Sequence, residues 1–173
     1  MWRKFGYLLV ILIIIVGLIV AALMFQYTSP GKSSTTVYVD PPEVTCSRMD
    51  NFSISVKIRD VDGLYGLQIG LSWDSFLLEC INHTVHIPVE DYPDGVLHES
   101  VLEVEDIVTE GAYSVSYASW DPARPFNGNG TIFTISFHVK EVGQCLLKIH
   151  ECKLVDKNAN EIACTVENGD FGS

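Results

Sequence analysis

No Asp or Glu occurs in the first 39 residues, and between Phe5 and Tyr27 there is scarcely a polar side chain. That absence argues against an ordinary surface helix, which needs one wet face, and makes a helix buried in the core of a small domain a poor fit. The run is about 20 residues of Leu, Ile, Val, Ala and Gly, the length that crosses a hydrocarbon core of roughly 30 Å. A cleavable signal has a shorter apolar region and a small-x-small site, of which Ala21-Ala-Leu-Met-Phe25 is a poor version. Residues 5–27 are therefore expected to form one transmembrane helix. Arg3 and Lys4 precede it and only Lys32 follows closely, so residues 1–4 are expected in the cytoplasm and the remainder outside the cell.

Other absences narrow the chemistry. There is no C-x-x-C pair, and Cys145 to Cys152 is too wide for a zinc knuckle. No Gly-x-Ser-x-Gly elbow accompanies the five histidines, so nothing marks a Ser-His-Asp hydrolase. Carboxylates are so abundant that a glycosidase-type pair could be drawn anywhere, which removes the signal. Downstream of the linker no stretch of ten or more residues has helical periodicity, and nothing repeats internally. The reading is not an enzyme.

What is present is polar-apolar alternation. Tyr27 to Thr36 is a run of turn residues, read as a linker over 28–36 with a domain from Val37 to Ser173. Phe52, Ile54, Val56 and Ile58 alternate with Ser53, Ser55, Lys57 and Arg59. Leu67, Ile69, Leu71 and Trp73 alternate with Gln68, Gly70 and Ser72, and Phe133, Ile135, Phe137 and Val139 with Thr134, Ser136 and His138. Period two with one apolar face is the mark of a half-buried strand. Weaker runs lie at 37–39, 113–120, 145–149 and 162–166. Asp60-Val-Asp-Gly63, Asn127-Gly-Asn-Gly130 and Asp156-Lys-Asn-Ala-Asn-Glu161 read as turns, and 90–110 as a long acidic excursion. The fold class is all-β: an antiparallel two-sheet sandwich of about nine strands, preceded by one transmembrane helix.

All 22 acidic residues fall in this domain with only eight Lys and Arg, a surplus that repels nucleic acid and anionic lipid. Cofactors are expected to be none, with a structural calcium the one cation the composition admits. Asp156, Asn158, Asn160 and Glu167 stand at calcium-loop spacing, but Glu161 occupies the position that should be Gly and the flanks read as strands. His83 and His86, near Glu79 and Glu90, read as ordinary loop histidines more readily than as metal ligands.

Five cysteines lie in the outward part, where disulfides persist, and Cys152 and Cys164 flank the 156–161 turn nearly symmetrically. A disulfide between them is expected if that turn closes a hairpin. Asn51, Asn82 and Asn129 each open an Asn-x-Ser/Thr sequon. Exposed aromatic rings are where a sugar would stack: Trp120, out of phase with Val115 and Tyr117, is the best candidate, with Tyr65 and Tyr92 as lesser ones, whereas Trp73 shares phase with core residues.

The order of features resembles the cohesin domain. Val37-Tyr-Val-Asp-Pro-Pro-Glu-Val44, Phe52 to Val61 and Leu64 to Asp74 are similar to its first half. Tyr117-Ala-Ser-Trp-Asp-Pro122, Gly128 to Val139, Gly143 and Leu154-Val-Asp156 are similar to its second. The resemblance spans about residues 37–170. It implies a nine-stranded jelly-roll sandwich, in a superfamily shared with carbohydrate-binding modules, and a non-catalytic role in binding dockerins, small calcium-loaded helical modules borne by polysaccharide-degrading enzymes. The expected function is thus a surface module that presents a sheet face, with Gln68, Gly70 and Ser72 on it, to a dockerin-like protein. The alternatives are binding of polysaccharide and a structural role in a surface complex.

Overall fold

The computed structural model describes residues 34–173, so the expected cytoplasmic tail, the transmembrane helix at 5–27 and the linker up to residue 33 lie outside the described residues. Among the described residues no helix is long and apolar enough to cross a membrane. Eleven strands follow one another: β1 (Thr35–Asp40), β2 (Glu43–Thr45), β3 (Asn51–Leu64), β4 (Gly66–Ser72), β5 (Leu78–Val85), β6 (Val101–Thr109), β7 (Ala112–Ser119), β8 (Phe126–Val139), β9 (Gln144–Val155), β10 (Cys164–Glu167) and β11 (Gly169–Gly172). They form a five-stranded sheet in the order β10-β1-β3-β8-β5 and a six-stranded sheet in the order β2-β11-β9-β4-β7-β6.

The sandwich is thus all-β with two layers, as expected, but it is not wholly antiparallel. β1 runs parallel to β10, and β2 parallel to β11. The additional strands come from splitting: Pro41 and Pro42 lack the N–H groups a continuous ladder needs, so β1 stops and the chain re-enters pairing as β2 in the other sheet. Asn168 separates β10 from β11 in the same manner. β1 also starts before the expected end of the linker. Thr35 and Thr36 are buried in it, Thr35 donating to the Asp60 carbonyl at 3.2 Å and Thr36 sharing a 2.9 Å hydroxyl contact with Thr165.

The alternating residues meet between the sheets. Val56, Ile58, Ile69, Leu71, Phe133, Ile135, Phe137 and Val139 are fully excluded from solvent. Aromatic rings hold the centre: Phe137 lies 4.9 Å from Trp73 edge-on and 5.4 Å from Phe52, which stacks on Phe171 at 5.3 Å. Trp73 is buried as its phase predicted, and its indole N–H donates to the Leu78 carbonyl at 3.2 Å. Tyr113 and Phe133 make a second edge-on pair at 4.8 Å.

Two expected turns prove to be strand. Asp60 to Gly63 and Asn127 to Gly130 lie opposite one another in the long β3–β8 pair, where the register shifts twice between Ile58 and Leu64. Asp60 and Gly63 adopt positive φ there, a backbone state that Asp and Gly tolerate in bulges as well as in turns. The freed amides are satisfied by side chains: Asn129 Oδ1 accepts from the Asp60 N–H and Asn127 Oδ1 from the Gly63 N–H, at 2.8 and 2.7 Å.

Cys152 and Cys164 are joined in a disulfide, yet not across a hairpin. The 156–161 turn does reverse the chain, with Val155 bridging Glu161, but β10 then pairs with β1 in the opposite layer. The link therefore ties the two sheets together. Its sequence separation of 12 restricts only a short loop in the unfolded chain, which corresponds to about 3 kcal/mol. Replacing both cysteines by Ala is expected to lower the unfolding free energy by about 2–3 kcal/mol, measured by urea denaturation at constant pH. The other three cysteines, Cys46, Cys80 and Cys145, are free and half-buried. Burial pushes each thiol pKa up, which keeps them protonated and poorly nucleophilic.

Candidate functional site

β4 lies in the six-stranded sheet between β9 and β7, and its alternation turns Leu67, Ile69 and Leu71 inward. Gln68, Gly70 and Ser72 therefore point out of the sandwich. Register sets their neighbours: Gln68 lies between Ser116 and Lys153, Gly70 between Ser114 and Glu151, and Ser72 between Ala112 and Lys148. The predicted outward trio thus sits in the middle of a sheet face. Around it the floor is made of Gly66, Ser114, Ser116, Ala112 and Ala118, none of which rises far above the backbone.

Close packing requires the two glycines of β4. A Cβ at Gly70 would come within 2.5 Å of the His150 imidazole, which lies over it, and one at Gly66 within 2.9 Å of Val155 Cγ2. His150 is the extra residue where the β4–β9 register shifts. A shallow depression of about 220 Å³ opens over Gly66, Gln68, Ser116, Ala118, Lys153 and Val155. On its β9 side Glu151 accepts from Gln68 at 3.2 Å and from Lys153 at 2.7 Å, so this border is held by charged hydrogen bonds.

The opposite border is β6, the strand missed in the sequence because 90–110 looked aperiodic. It is an edge strand whose apolar residues face the wrong way: Leu102, Val104 and Ile107 are 60%, 64% and 51% exposed. Two of its acids, Glu103 and Asp106, face inward instead. Tyr117 donates its hydroxyl to Glu103 at 2.8 Å, and Tyr113 to Asp106 at 2.9 Å. Glu103 and Asp106 are three apart and would take opposite faces of a regular strand, but a bulge between Glu103 and Glu105 brings both to the inner side. Burial raises the pKa of both tyrosines, so they remain neutral hydroxyl donors. His83 of β5 reaches Asp106 across the open edge of the sandwich at 3.0 Å. The signal that could have found β6 was the pairing of acids with buried tyrosines, which a period-two search for apolar residues cannot detect.

Charge is segregated along this chain, since no Lys or Arg occurs from residue 60 to residue 123. The face consequently runs from Lys148 and Lys153 on β9, over a neutral floor, to Glu105 and the aliphatic rim on β6. At one end stands Trp120, 62% exposed, immediately after β7. Its backbone N–H donates to the Ser100 carbonyl at 2.9 Å, which ties it to the start of β6. Tyr65 is brought to the same end: the Ser119 N–H donates to its carbonyl at 2.7 Å, and Lys157, bonded to Asp121, lies 5.6 Å from its ring. Its hydroxyl is buried without a hydrogen-bond partner, so Tyr65 is not an open stacking platform. Tyr92 is elsewhere, packed on His86 at 5.2 Å.

The remaining candidates are dispersed. His83 bonds Asp106, His86 bonds Asp94 at 3.1 Å, and Glu90 bonds His98 at 2.8 Å, so the histidines and acids suggested for a metal take separate partners. No group of three such residues that could hold a metal ion occurs among the described residues. Asp156 accepts from the Asn158 and Asn160 amides and from the Asn160 side chain, whereas Glu167 pairs with Arg59. The segment that has calcium-loop spacing is therefore a side-chain-braced turn. Asn51, Asn82 and Asn129 are exposed, all on strands of the five-stranded sheet.

The segment between β5 and β6 is held by carboxylates that favour their ionised form. The His86 side chain, opposed by burial and aided by Thr131, holds Asp94 below the usual range. Burial pushes Glu90 up, but the Glu99 amide and His98 outweigh it and leave a net lowering. Carboxylates with depressed folded-state pKa stabilise the fold above their unfolded values, near 4, and the contribution is lost as pH falls through the folded values. The urea midpoint is accordingly expected to decline below about pH 4, and the decline to flatten in Asp94→Asn. An equal slope in that variant would show that Asp94 is not the source.

No family model matches this sequence, and no curated protein does. Solved structures do. The chain is similar to a non-cellulosomal cohesin from the hyperthermophilic archaeon Archaeoglobus fulgidus, with 19% identity, 81% of this chain and 91% of that one covered, and a TM-score of 0.63. It is similar to the OlpA cohesin of Clostridium thermocellum, solved in complex with the dockerin Doc918, with 19% identity, coverage of 81% and 99%, and a TM-score of 0.64. The sixth cohesin of Acetivibrio cellulolyticus scaffoldin B, in complex with a Cel5 dockerin, matches at 14% identity, with 81% and 99% covered and a TM-score of 0.65. Residues 34–173 thus have the fold of a cohesin domain.

Proposed function

We propose that this chain is a non-catalytic docking module that receives a dockerin-type protein on the outer face of β9, β4, β7 and β6, and that its N-terminal run holds it at the outer surface of a membrane. The observation that carries the reading is the face itself: a floor of Gly, Ala and Ser bounded by solvent-exposed Leu102, Val104 and Ile107. Small residues let a partner helix approach the sheet closely, and exposed aliphatic side chains on one strand supply apolar area that a monomer has no reason to leave in water. Complexes of similar cohesins with dockerins support the same choice of partner. The acidic surplus favours a partner whose contact surface is basic or neutral.

The test is capture by residues 34–173 from the extracts and secreted fractions of the cells that make the protein, first in calcium and then in chelator. A partner retained only with calcium supports the reading. Retention of no protein in either buffer overturns it and leaves the fold alone.

A second reading, binding of polysaccharide, has the exposure of Trp120 in its favour. The two readings separate at that residue. As part of the rim, Trp120→Ala is expected to weaken protein docking by roughly tenfold or more, the effect of removing a large aromatic anchor, and to leave retention on insoluble polysaccharide at background in both forms. Retention by the wild type that disappears in the variant would instead favour the sugar.

A further inference from the structure

Three sequons occur in this sequence, and the fold treats them differently. We propose that Asn51 and Asn82 carry N-linked glycans and that Asn129, despite an identical motif, does not. The inference rests on the outward placement of the domain and not on the identity of its partner.

Asn82-His83-Thr84 lies on β5, the edge of the five-stranded sheet, with β8 on one side and no strand on the other among the described residues. Asn82 sits where the β5–β8 register shifts, and its side chain is exposed. Asn51-Phe52-Ser53 opens β3. β1 pairs with β3 only from Ser55 onward, so the sequon is unpaired to β1. Asn51 and Ser53 are both exposed. Asn51 Oδ1 faces His138 Nδ1 at 2.7 Å, a contact that engages the carbonyl oxygen and not the amide nitrogen.

Asn129-Gly130-Thr131 is held down by contrast. A Cβ at Gly130 would meet the Gly95 carbonyl at 2.4 Å, so the backbone is wedged beneath the segment between β5 and β6. The Thr131 N–H donates to the Asp94 carbonyl at 2.7 Å, and Thr131 is only 5% exposed. A transferase must seat the Asn and the Ser/Thr hydroxyl together, and in the folded domain this hydroxyl is inaccessible. Asn129 Oδ1 accepts from the Asp60 amide much as Asn51 Oδ1 meets His138, so what separates the two sequons is the buried Thr131.

The donor class is a lipid-(pyro)phosphate-linked sugar. The Asn Nδ2 forms a bond to sugar C1 and gives up one proton to solvent, while the C1–O bond to phosphate breaks and the phosphate leaves with the electron pair. Asn51 and Asn82 lie on the outer side of one patch, in neighbouring rows that cross β3, β8 and β5 through His138 and Ser136. The separation across two strands is about 10 Å, so two glycans would cover this hydroxyl-rich face. The small-residue floor on the other sheet carries no sequon and would remain bare.

The full chain, purified from the cells that make it, is to be digested and its peptides sequenced by mass spectrometry with fragmentation that preserves glycans. The expected result is a hexose- or hexosamine-containing mass on the peptides of Asn51 and Asn82, and an unmodified Asn129 peptide. Unmodified Asn51 or Asn82, or a glycan on Asn129, overturns the proposal. As a second readout Asn51→Gln and Asn82→Gln should each increase electrophoretic mobility by one step, and Asn129→Gln should leave it unchanged.

Discussion

Ser116→Arg is expected to abolish partner binding, with an affinity loss of at least about 100-fold, comparable to losing a central hot-spot residue. Ser116 lies on the outer face of β7 opposite Gln68, beside the shallow depression over Gly66 and Ala118. An Arg there would stand several ångströms above the neighbouring Gly66, Ser114 and Ala118, and would hold a partner away from Gln68 and Ser114. It would also add a cation next to Lys153 on the face proposed to meet a basic or neutral surface. Because Ser116 makes no side-chain contact in the core, the unfolding free energy should change by less than about 0.5 kcal/mol. Binding measured by titration calorimetry and stability measured by urea denaturation separate the two effects. Unchanged binding would remove this face from the proposal.

The largest loss of stability is expected for Phe137→Ala. Its ring is fully buried, touches Trp73 and Phe52, and through Phe52 reaches Phe171 of the other sheet. Removing it leaves a cavity between two layers that cannot collapse, because each is braced by its own hydrogen-bond ladder. A cost of about 3–5 kcal/mol follows, a large fraction of the roughly 5–15 kcal/mol that holds a domain of this size together. The urea midpoint should fall accordingly with little change in slope. A loss below about 1 kcal/mol would mean that the aromatic cluster is not the centre of the core.

The central strands were legible because they are buried on one face only, and each such strand writes its geometry into a period of two. β3, β4 and β8 were found in this manner, and Trp73 was assigned inward by phase alone. The edge strands β5 and β6 were not legible for the same physical reason. β5 and β6 border the open side of the sandwich, where acids bonded to buried tyrosines and outward-facing aliphatic residues break the alternation. Turn chemistry misled where Asp, Asn and Gly serve a bulge: their tolerance of positive φ is common to both structures, and only a partner strand distinguishes them.

By itself the sequence determined the two-layer β architecture, the inward set of apolar residues and the outward set Gln68, Gly70 and Ser72, because solvent exposure alternates along any half-buried strand. The 22 carboxylates, all in the domain, likewise give a net field that repels anionic partners, a reading that needs no coordinates. Tertiary structure alone decided which strands are neighbours. It placed Leu102 and Ile107 beside Ala118 and Ser114, gathered Trp120 and Tyr65 at one end, and made the Cys152–Cys164 link a bond between sheets rather than across a hairpin. Those pairings depend on cross-strand registers between segments tens of residues apart, and a local pattern of polar and apolar residues contains no information about which distant strand will satisfy its backbone.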